Sequence, residues 1–141
     1  MKKLFFAFLL LPAFAVTAQY NHQAPETVQR SFQREHPEAH NAHWIRSNNQ
    51  WHASYRDNNN RNVEVRYDIH GNHQATHFEM DRRDVPRVID ERVRRDYHSG
   101  DHYTVRRIER PNLAPLFQLS IGTGRGSRVV YMDEQGRNRN Y

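Results

Sequence analysis

Polar and apolar side chains alternate along residues 51–56 and 63–69, a period of two that is typical of half-buried antiparallel strands. On two neighbouring strands the polar members would share one solvent-exposed face: His52, Ser54, Arg56, Glu64 and Arg66. Imidazole and carboxylate groups can exchange protons, and guanidinium groups can neutralise phosphate, so this set could serve a small hydrolase. Alternation alone produces such a cluster on any solvated sheet. We therefore predict no catalytic residues, and a partner-binding surface made of these five side chains together with Trp44.

Ten histidines raise the question of a metal site. His70, His73 and His77 follow one another closely, and His40 and His43 form a second pair. A Gly-Asn turn separates His70 from His73, and residues four apart on a strand lie about 13 Å apart, too far to share one ion. The chain has no cysteine, and no clear carboxylate completes a ligand set. We predict no metal site, with a His-rich envelope protein that binds a ligand or metal as the alternative.

Arginine is dense between residues 82 and 107, a composition that can indicate a phosphate-binding face. Acidic residues interleave with these arginines, and pairs such as Asp90 and Arg94 have the spacing of ion pairs along a helix. The sequence Gly122-x-Gly-x-Gly precedes a predicted strand rather than a helix, which excludes a dinucleotide-binding loop. We predict no nucleic-acid partner and no cofactor.

Residues 1–18 have the three parts of a secretory signal peptide. Lys2 and Lys3 precede an apolar run of 13 residues, and small residues end the segment at Ala18. A membrane-spanning helix needs about 20 apolar residues, and no later stretch is apolar enough to span a bilayer. We predict cleavage after Ala18 and a location in the periplasm or outside the cell. Cleavage removes both lysines, so 19 Arg against 16 acidic residues leave a net charge of +3.

The remaining chain has the pattern of one unit written twice. Residues 25–36 and 86–97 each begin with proline, which is well tolerated in the first turn of a helix. Each segment carries apolar residues four apart, Val28 and Phe32 in the first and Ile89 and Val93 in the second. Alternating segments that favour strands follow each helix. The turn sequence Asp-x-x-Gly occurs at residues 68–71 and again at 133–136.

We therefore predict an α+β fold of two tandem α-β-β-β-β repeats, residues 19–81 and 82–141. In each repeat one helix would pack on one face of an antiparallel sheet and leave the other face open. Each half has only about 55 residues, too few for a generous core, so the halves should pack against each other or share a sheet.

The motifs Pro25-x-x-Val-x-x-x-Phe-x-x-x-His-Pro, Trp44, Trp51-x-Ala-x-Tyr and Val63-x-Val-x-Tyr-Asp-x-x-Gly occur in that order. In this respect the chain, over residues 24–141, resembles the PepSY-like, beta-lactamase-inhibitor-like family of small secreted bacterial proteins. The resemblance implies tandem helix-on-sheet modules like those of beta-lactamase inhibitory protein (BLIP), and it carries over no catalytic residues. The second half departs from the family pattern, because His-Ser-Gly stands at residues 98–100 and no tryptophan corresponds to Trp44.

These observations predict a non-enzymatic binding module in the periplasm or outside the cell. Its partner would be an envelope or extracellular protein or peptide, bound without a cofactor at the open sheet face. The His-rich ligand- or metal-binding protein and the small secreted hydrolase are the alternatives.

Overall fold

The computed structural model describes residues 23–97, 102–123 and 126–141. The predicted signal peptide, the predicted end of the second helix at Ser99-Gly100 and residues 124–125 of the glycine-rich turn lie outside the described residues. In chain order the helices and strands are α1 (Glu26–Glu35), β1 (His43–Ser47), β2 (Gln50–Arg56), β3 (Asn62–Asp68), β4 (His73–Glu79), α2 (Arg87–Tyr97), β5 (Tyr103–Arg110), β6 (Leu113–Thr123), β7 (Gly126–Met132) and β8 (Asn138–Arg139). One short 3-10 turn, Arg82–Asp84, precedes α2.

The strands form one continuous sheet of eight, in the order β1 to β8, with every neighbouring pair antiparallel. Strands β4 and β5 pair directly, with Thr76 opposite Glu109 and Glu79 opposite Arg106. The predicted fold of two tandem α-β-β-β-β repeats, each a helix packed on one face of an antiparallel sheet, is therefore wrong, because the strands form a single sheet. In this sheet β5 satisfies the backbone N–H and C=O groups of β4 that point away from β3.

Both helices lie on the same face of this sheet, because directly opposed residues of antiparallel strands point to the same side. Phe78, which packs against the core under α1, is opposite Arg107, which is opposite Phe117 in the core under α2. The core under α1 contains Ala24, Val28, Phe32, Trp51, Ala53, Val63, Val65 and Tyr67. The core under α2 contains Val85, Ile89, Val93, Tyr103, Val105, Phe117, Leu119, Ile121, Val130 and Met132.

Each helix is amphipathic in the way its spacing predicts. Val28 and Phe32 are the buried residues of α1, and Ile89 and Val93 are those of α2. The outer surfaces carry charged pairs one turn apart, of which the Arg87–Glu91 pair is at 2.6 Å. Burial of the apolar stripe, rather than these exposed pairs, holds each helix on the sheet.

Three hairpins share one turn geometry, led by Asp57, Asp68 and Asp133. In each turn the aspartate carboxylate accepts hydrogen bonds from the backbone N–H groups two and four residues later. The fourth residue has a positive φ, 61° at Asn60, 85° at Gly71 and 73° at Gly136. Asparagine and glycine tolerate this conformation best. The Asp-x-x-Gly similarity is thus a hairpin device, used also between β2 and β3, and does not mark a duplicated unit.

Two further hairpin turns consist of only two residues. Asn48 and Asn49, between β1 and β2, both have positive φ values, of 47° and 63°. Pro111 and Asn112 form the turn between β5 and β6, which begins at Leu113.

Candidate functional site

The open face is the sheet face opposite the two helices. It carries five of the six predicted binding residues. His52 lies opposite Arg66, and Ser54 lies opposite Glu64, so that β2 and β3 present these side chains together with Arg56. We call these five residues the polar patch. Trp44 lies on the other face, opposite Ala53, with its ring edge-on to Phe32 at 5.2 Å between centroids. The structure therefore separates Trp44 from the other predicted residues.

Within the polar patch, Glu64 is already paired on the sheet with Arg66 and lies next to His52. Glu64 Oε1 accepts a hydrogen bond from Arg66 Nε at 2.7 Å and lies 3.4 Å from His52 Nδ1. Burial acts to raise the pKa of Glu64, but the Arg66 guanidinium and the nearby imidazoles hold that pKa below its ordinary value. Burial, with a contribution from Arg66, lowers the pKa of His52. At neutral pH the patch therefore presents an ionised carboxylate, a guanidinium and a neutral imidazole.

His77 on β4 belongs to the same surface and was not among the predicted site residues. It lies opposite Glu64, and its side chain is only 2% exposed. Its Nε2 atom shares a hydrogen bond of 3.2 Å with the Tyr141 hydroxyl, whereas its Nδ1 atom has no hydrogen-bond partner among the described residues. Burial, and then the positive charge of Arg66, lowers the pKa of His77 to about 4.

A bulge explains why the alternation along β4 did not identify His77. The pairing of β3 with β4 shifts between Arg66 and Tyr67, so that Ala75 is opposite Arg66 but His73 is opposite Tyr67. Consequently His73 is on the helix-covered face, where its ring is 5.7 Å from that of Tyr67, and His77 is on the open face. His73 and His77 are four residues apart, and plain alternation along β4 would place them on one face. The extra residue reverses the alternation and puts them on opposite faces.

A depression of about 370 Å³ lies beside the polar patch. Its lining includes Ser54, Arg56, Glu64, His77 and Arg106. The guanidinium of Arg56 donates to the Asn60 side chain at 2.9 Å. Neither Arg56 nor Arg106 forms an ion pair of 4 Å or less with a described carboxylate, so both cations are available to an acidic group at this depression.

An apolar cluster also lies on the open face, over β4 to β7. Ala75, Ile108 and Leu116 form a buried cluster against which Tyr131 packs. We call these four residues the aromatic patch. Tyr141 covers it, with its ring stacked on that of Tyr131 at 4.9 Å between centroids and an interplanar angle of 20°. The open face thus carries the polar patch and the aromatic patch side by side, and His77 lies opposite Glu64 of the first and Ile108 of the second.

In the described part of the chain no group of three or more His, Asp or Glu side chains is arranged to hold a metal ion. His73 Nε2 instead shares a hydrogen bond of 2.8 Å with Thr76 Oγ1, and His70 lies in the turn led by Asp68. His40 and His43 are exposed. The histidines that follow one another in the sequence are therefore dispersed over turns, loops and two sheet faces.

No helix among the described residues has the length and hydrophobicity needed to cross a membrane. No family model and no curated protein matches the chain. Several solved structures are similar to it. A "putative periplasmic" protein of Bacteroides eggerthii superimposes with a TM-score of 0.77 and 15% identity, over 84% of this chain and 87% of the other.

Two further structures are similar. A DUF2874 family protein of Bacteroides uniformis has a TM-score of 0.77 and 16% identity, over 84% of this chain and 88% of the other. A BLIP-like protein of Bacteroides fragilis has a TM-score of 0.70 and 18% identity, over 84% of each chain. At such low identity the likeness concerns the fold alone. The chain has a BLIP-like fold.

Proposed function

We propose that the protein is a non-enzymatic binding module of the cell envelope, which docks a protein or peptide partner on the open face through the polar patch. The observation that carries the proposal is that neither helix covers this patch, while its charges are fixed in place on central strands. A rigid, uncovered and polar sheet surface loses little conformational entropy when a partner binds.

The charges at the depression favour a partner segment that contains acidic side chains. Arg56 and Arg106 line the depression without a carboxylate partner among the described residues. Glu64, by contrast, is already neutralised by Arg66 at 2.7 Å. Arginine is enriched at the energetic centres of protein interfaces, where it forms bidentate hydrogen bonds with carboxylates.

The same geometry gives little support to a hydrolase. A serine nucleophile needs a hydrogen bond to its base, and Ser54 makes none to His52 or to any other described side chain. A general acid needs a raised pKa, whereas the pKa of Glu64 is lowered. We therefore assign the polar patch to binding rather than to catalysis.

An envelope location agrees with two observations. The first 18 residues have the composition of a secretory signal peptide. The name of one structurally similar protein, that of Bacteroides eggerthii, contains the word periplasmic. We accordingly place the partner in the periplasm or outside the cell.

Cross-linked capture from an envelope extract tests the proposal. The double variant Arg56→Ala/Arg66→Ala should lose at least about tenfold of a partner that the unaltered protein recovers, because each paired interface arginine contributes on the order of 1–3 kcal/mol. The matched control is Arg83→Ala/Arg87→Ala, which removes two exposed arginines from the 3-10 turn and α2. Equal recovery of the partner by the unaltered protein and both double variants would show that the polar patch does not bind it.

A further inference from the structure

The side chain of Tyr141 rests on the aromatic patch in the manner of a bound ligand. Its ring stacks on Tyr131, and its hydroxyl shares a hydrogen bond of 3.2 Å with His77 Nε2. The guanidinium carbon of Arg110 lies 5.6 Å from the centre of the same ring. The site therefore recognises both parts of a phenol, the aromatic ring and the hydroxyl group.

The floor of this site is rigid, whereas its occupant is loosely tethered. Ile108 and His77 are almost completely buried, and Leu116 is 5% exposed. Tyr141 is 49% exposed and lies two residues beyond β8, a strand of two residues that pairs with Tyr131 and Met132. The ion pair of Arg139 with Asp133 at 2.7 Å also holds this strand. These contacts are few, so the segment can separate from the sheet at small cost compared with unfolding of the core.

We propose that the aromatic patch is a binding site for the phenol side chain of a partner's tyrosine, and that Tyr141 fills this site until the partner displaces it. The inference rests on the proposed function and names the chemistry of the partner. His77 both lines the depression and bonds to Tyr141, so the phenol site adjoins the depression that carries Arg56 and Arg106. A partner segment with a tyrosine near acidic residues would fill both at once.

Competition between the two tyrosines has a measurable consequence. Some ligands bind only when Tyr141 is displaced. The apparent affinity of such a ligand equals its intrinsic affinity multiplied by the fraction of molecules in which the site is empty. Removal of the Tyr141 ring abolishes this reduction. The site should then accept a free phenol, and the partner should be recovered in larger amount than by the unaltered protein.

The test uses p-cresol, which is the tyrosine side chain as a free molecule, titrated into the isotopically labelled protein while the NMR signals of His77 are followed. Tyr141→Ala should bind p-cresol at least about tenfold more tightly than the unaltered protein, as expected where Tyr141 fills the site about nine-tenths of the time. Toluene, which lacks the hydroxyl, should bind this variant about fivefold more weakly than p-cresol, because the hydrogen bond to His77 is lost.

Two more variants complete the design. Tyr141→Phe keeps the ring but loses the hydrogen bond to His77, so its affinity for p-cresol should fall between those of the other two proteins. Tyr141→Phe therefore tests whether Tyr141 competes with p-cresol for the site, even if Tyr141→Ala fails to fold. Tyr97→Ala is the matched control, because Tyr97 is an aromatic residue on α2 whose ring contacts Arg128 instead. This control should respond to p-cresol as the unaltered protein does.

The proposal is overturned if Tyr141→Ala shows no saturable change at His77, or if Tyr141→Phe binds p-cresol no more tightly than the unaltered protein. It is also overturned if toluene binds as tightly as p-cresol, since the site would then not recognise a phenol. The titration needs no partner, so its result is independent of the capture experiment with Arg56 and Arg66. Failure of that capture alone would remove the polar patch and leave the phenol site in place.

Discussion

The two halves of the sheet make their ring-to-ring contacts on opposite faces. Under α1, the helix-covered core is rich in rings, and Phe32 contacts Trp44, Tyr55 and Tyr67 edge-on. Under α2, the core is mainly aliphatic. On the open face the opposite holds. The polar patch on β2 and β3 has no ring-to-ring contact among the described residues, whereas Tyr131 on β7 stacks on Tyr141.

This difference shows that a similar backbone can serve different surface chemistry in its two halves. The hydroxyls of Tyr55 and Tyr67 tie the first half to the end of α1, through Glu38 and Glu35. In the second half Tyr103 donates to Asp90 on α2. Each helix is therefore fixed by a tyrosine–carboxylate hydrogen bond, while the reverse side carries the polar patch in the first half and the aromatic patch next to it.

The largest expected effects come from core truncation in either half. Phe32→Ala should lower the free energy of unfolding by about 3–5 kcal/mol, and Ile89→Ala by about 2–5 kcal/mol. Both tryptophans, Trp44 and Trp51, belong to the half covered by α1. Since β4 and β5 join the halves into one sheet, Ile89→Ala should shift the urea midpoint seen by tryptophan fluorescence as much as that seen by circular dichroism.

The control for this comparison is Val88→Ala, a truncation on the same helix at a residue that is 42% exposed. It should change the free energy of unfolding by less than about 1 kcal/mol. If Ile89→Ala shifts the circular dichroism midpoint and leaves the fluorescence midpoint unchanged, the two halves unfold independently and the sheet is not one cooperative unit.

The hairpin glycines give the next largest effect and differ between the halves. Gly71 and Gly136 both have positive φ, which costs alanine about 1–2 kcal/mol. A Cβ at Gly71 would also lie 3.0 Å from the Thr27 carbonyl oxygen, whereas at Gly136 its nearest neighbours lie at 3.4 Å, on Val88. Gly71→Ala should therefore be the more destabilising by about 1 kcal/mol or more in urea unfolding. Equal losses would mean that α1 can move away from the turn at no cost.

The sequence predicted local structure well and the assembly of the halves poorly. Spacing in α1 and α2 identified the helices and their buried residues, and alternation identified five members of the open face. Alternation left open whether the two halves share a sheet, because the pairing of β4 with β5 depends on contacts between residues distant in sequence. It also failed at His77, where one extra residue in β4 reverses the faces. Trp44 was misplaced because an aromatic residue on an edge strand can face either side.

Titration of His77 tests the place where the two halves meet. Its folded-state pKa is about 4, so between about pH 6.5 and pH 4 the unfolded chain binds a proton that the folded protein does not. The free energy of unfolding should fall by on the order of 2 kcal/mol over that range, relative to His77→Gln. The groups that face His77 are Glu64, Arg66, Arg106, His52 and the Tyr141 hydroxyl, and all are retained in the variant.

Urea unfolding of the two proteins at several pH values measures this difference. The contribution of the other titrating groups is common to both proteins and cancels when the curves are subtracted. Curves that stay parallel from pH 7 to pH 4 would mean that His77 has the same pKa in the folded and unfolded states, and thus that the centre of the open face is better solvated than its burial indicates.

The smallest effects separate the polar patch from the outer surface of α2. Arg66 is 25% exposed and paired with a half-buried Glu64, whereas Arg87 is 91% exposed and paired with Glu91. Arg66→Gln should cost about 1–2 kcal/mol, because it leaves a partly desolvated carboxylate without its charge partner. Arg87→Gln should cost about 0.3–0.5 kcal/mol, and raising the salt concentration to 1 M should abolish most of that difference. A loss for Arg66→Gln that is equally small and equally screened by salt would place the polar patch in bulk solvent, where its pairing could not hold the surface rigid for a partner.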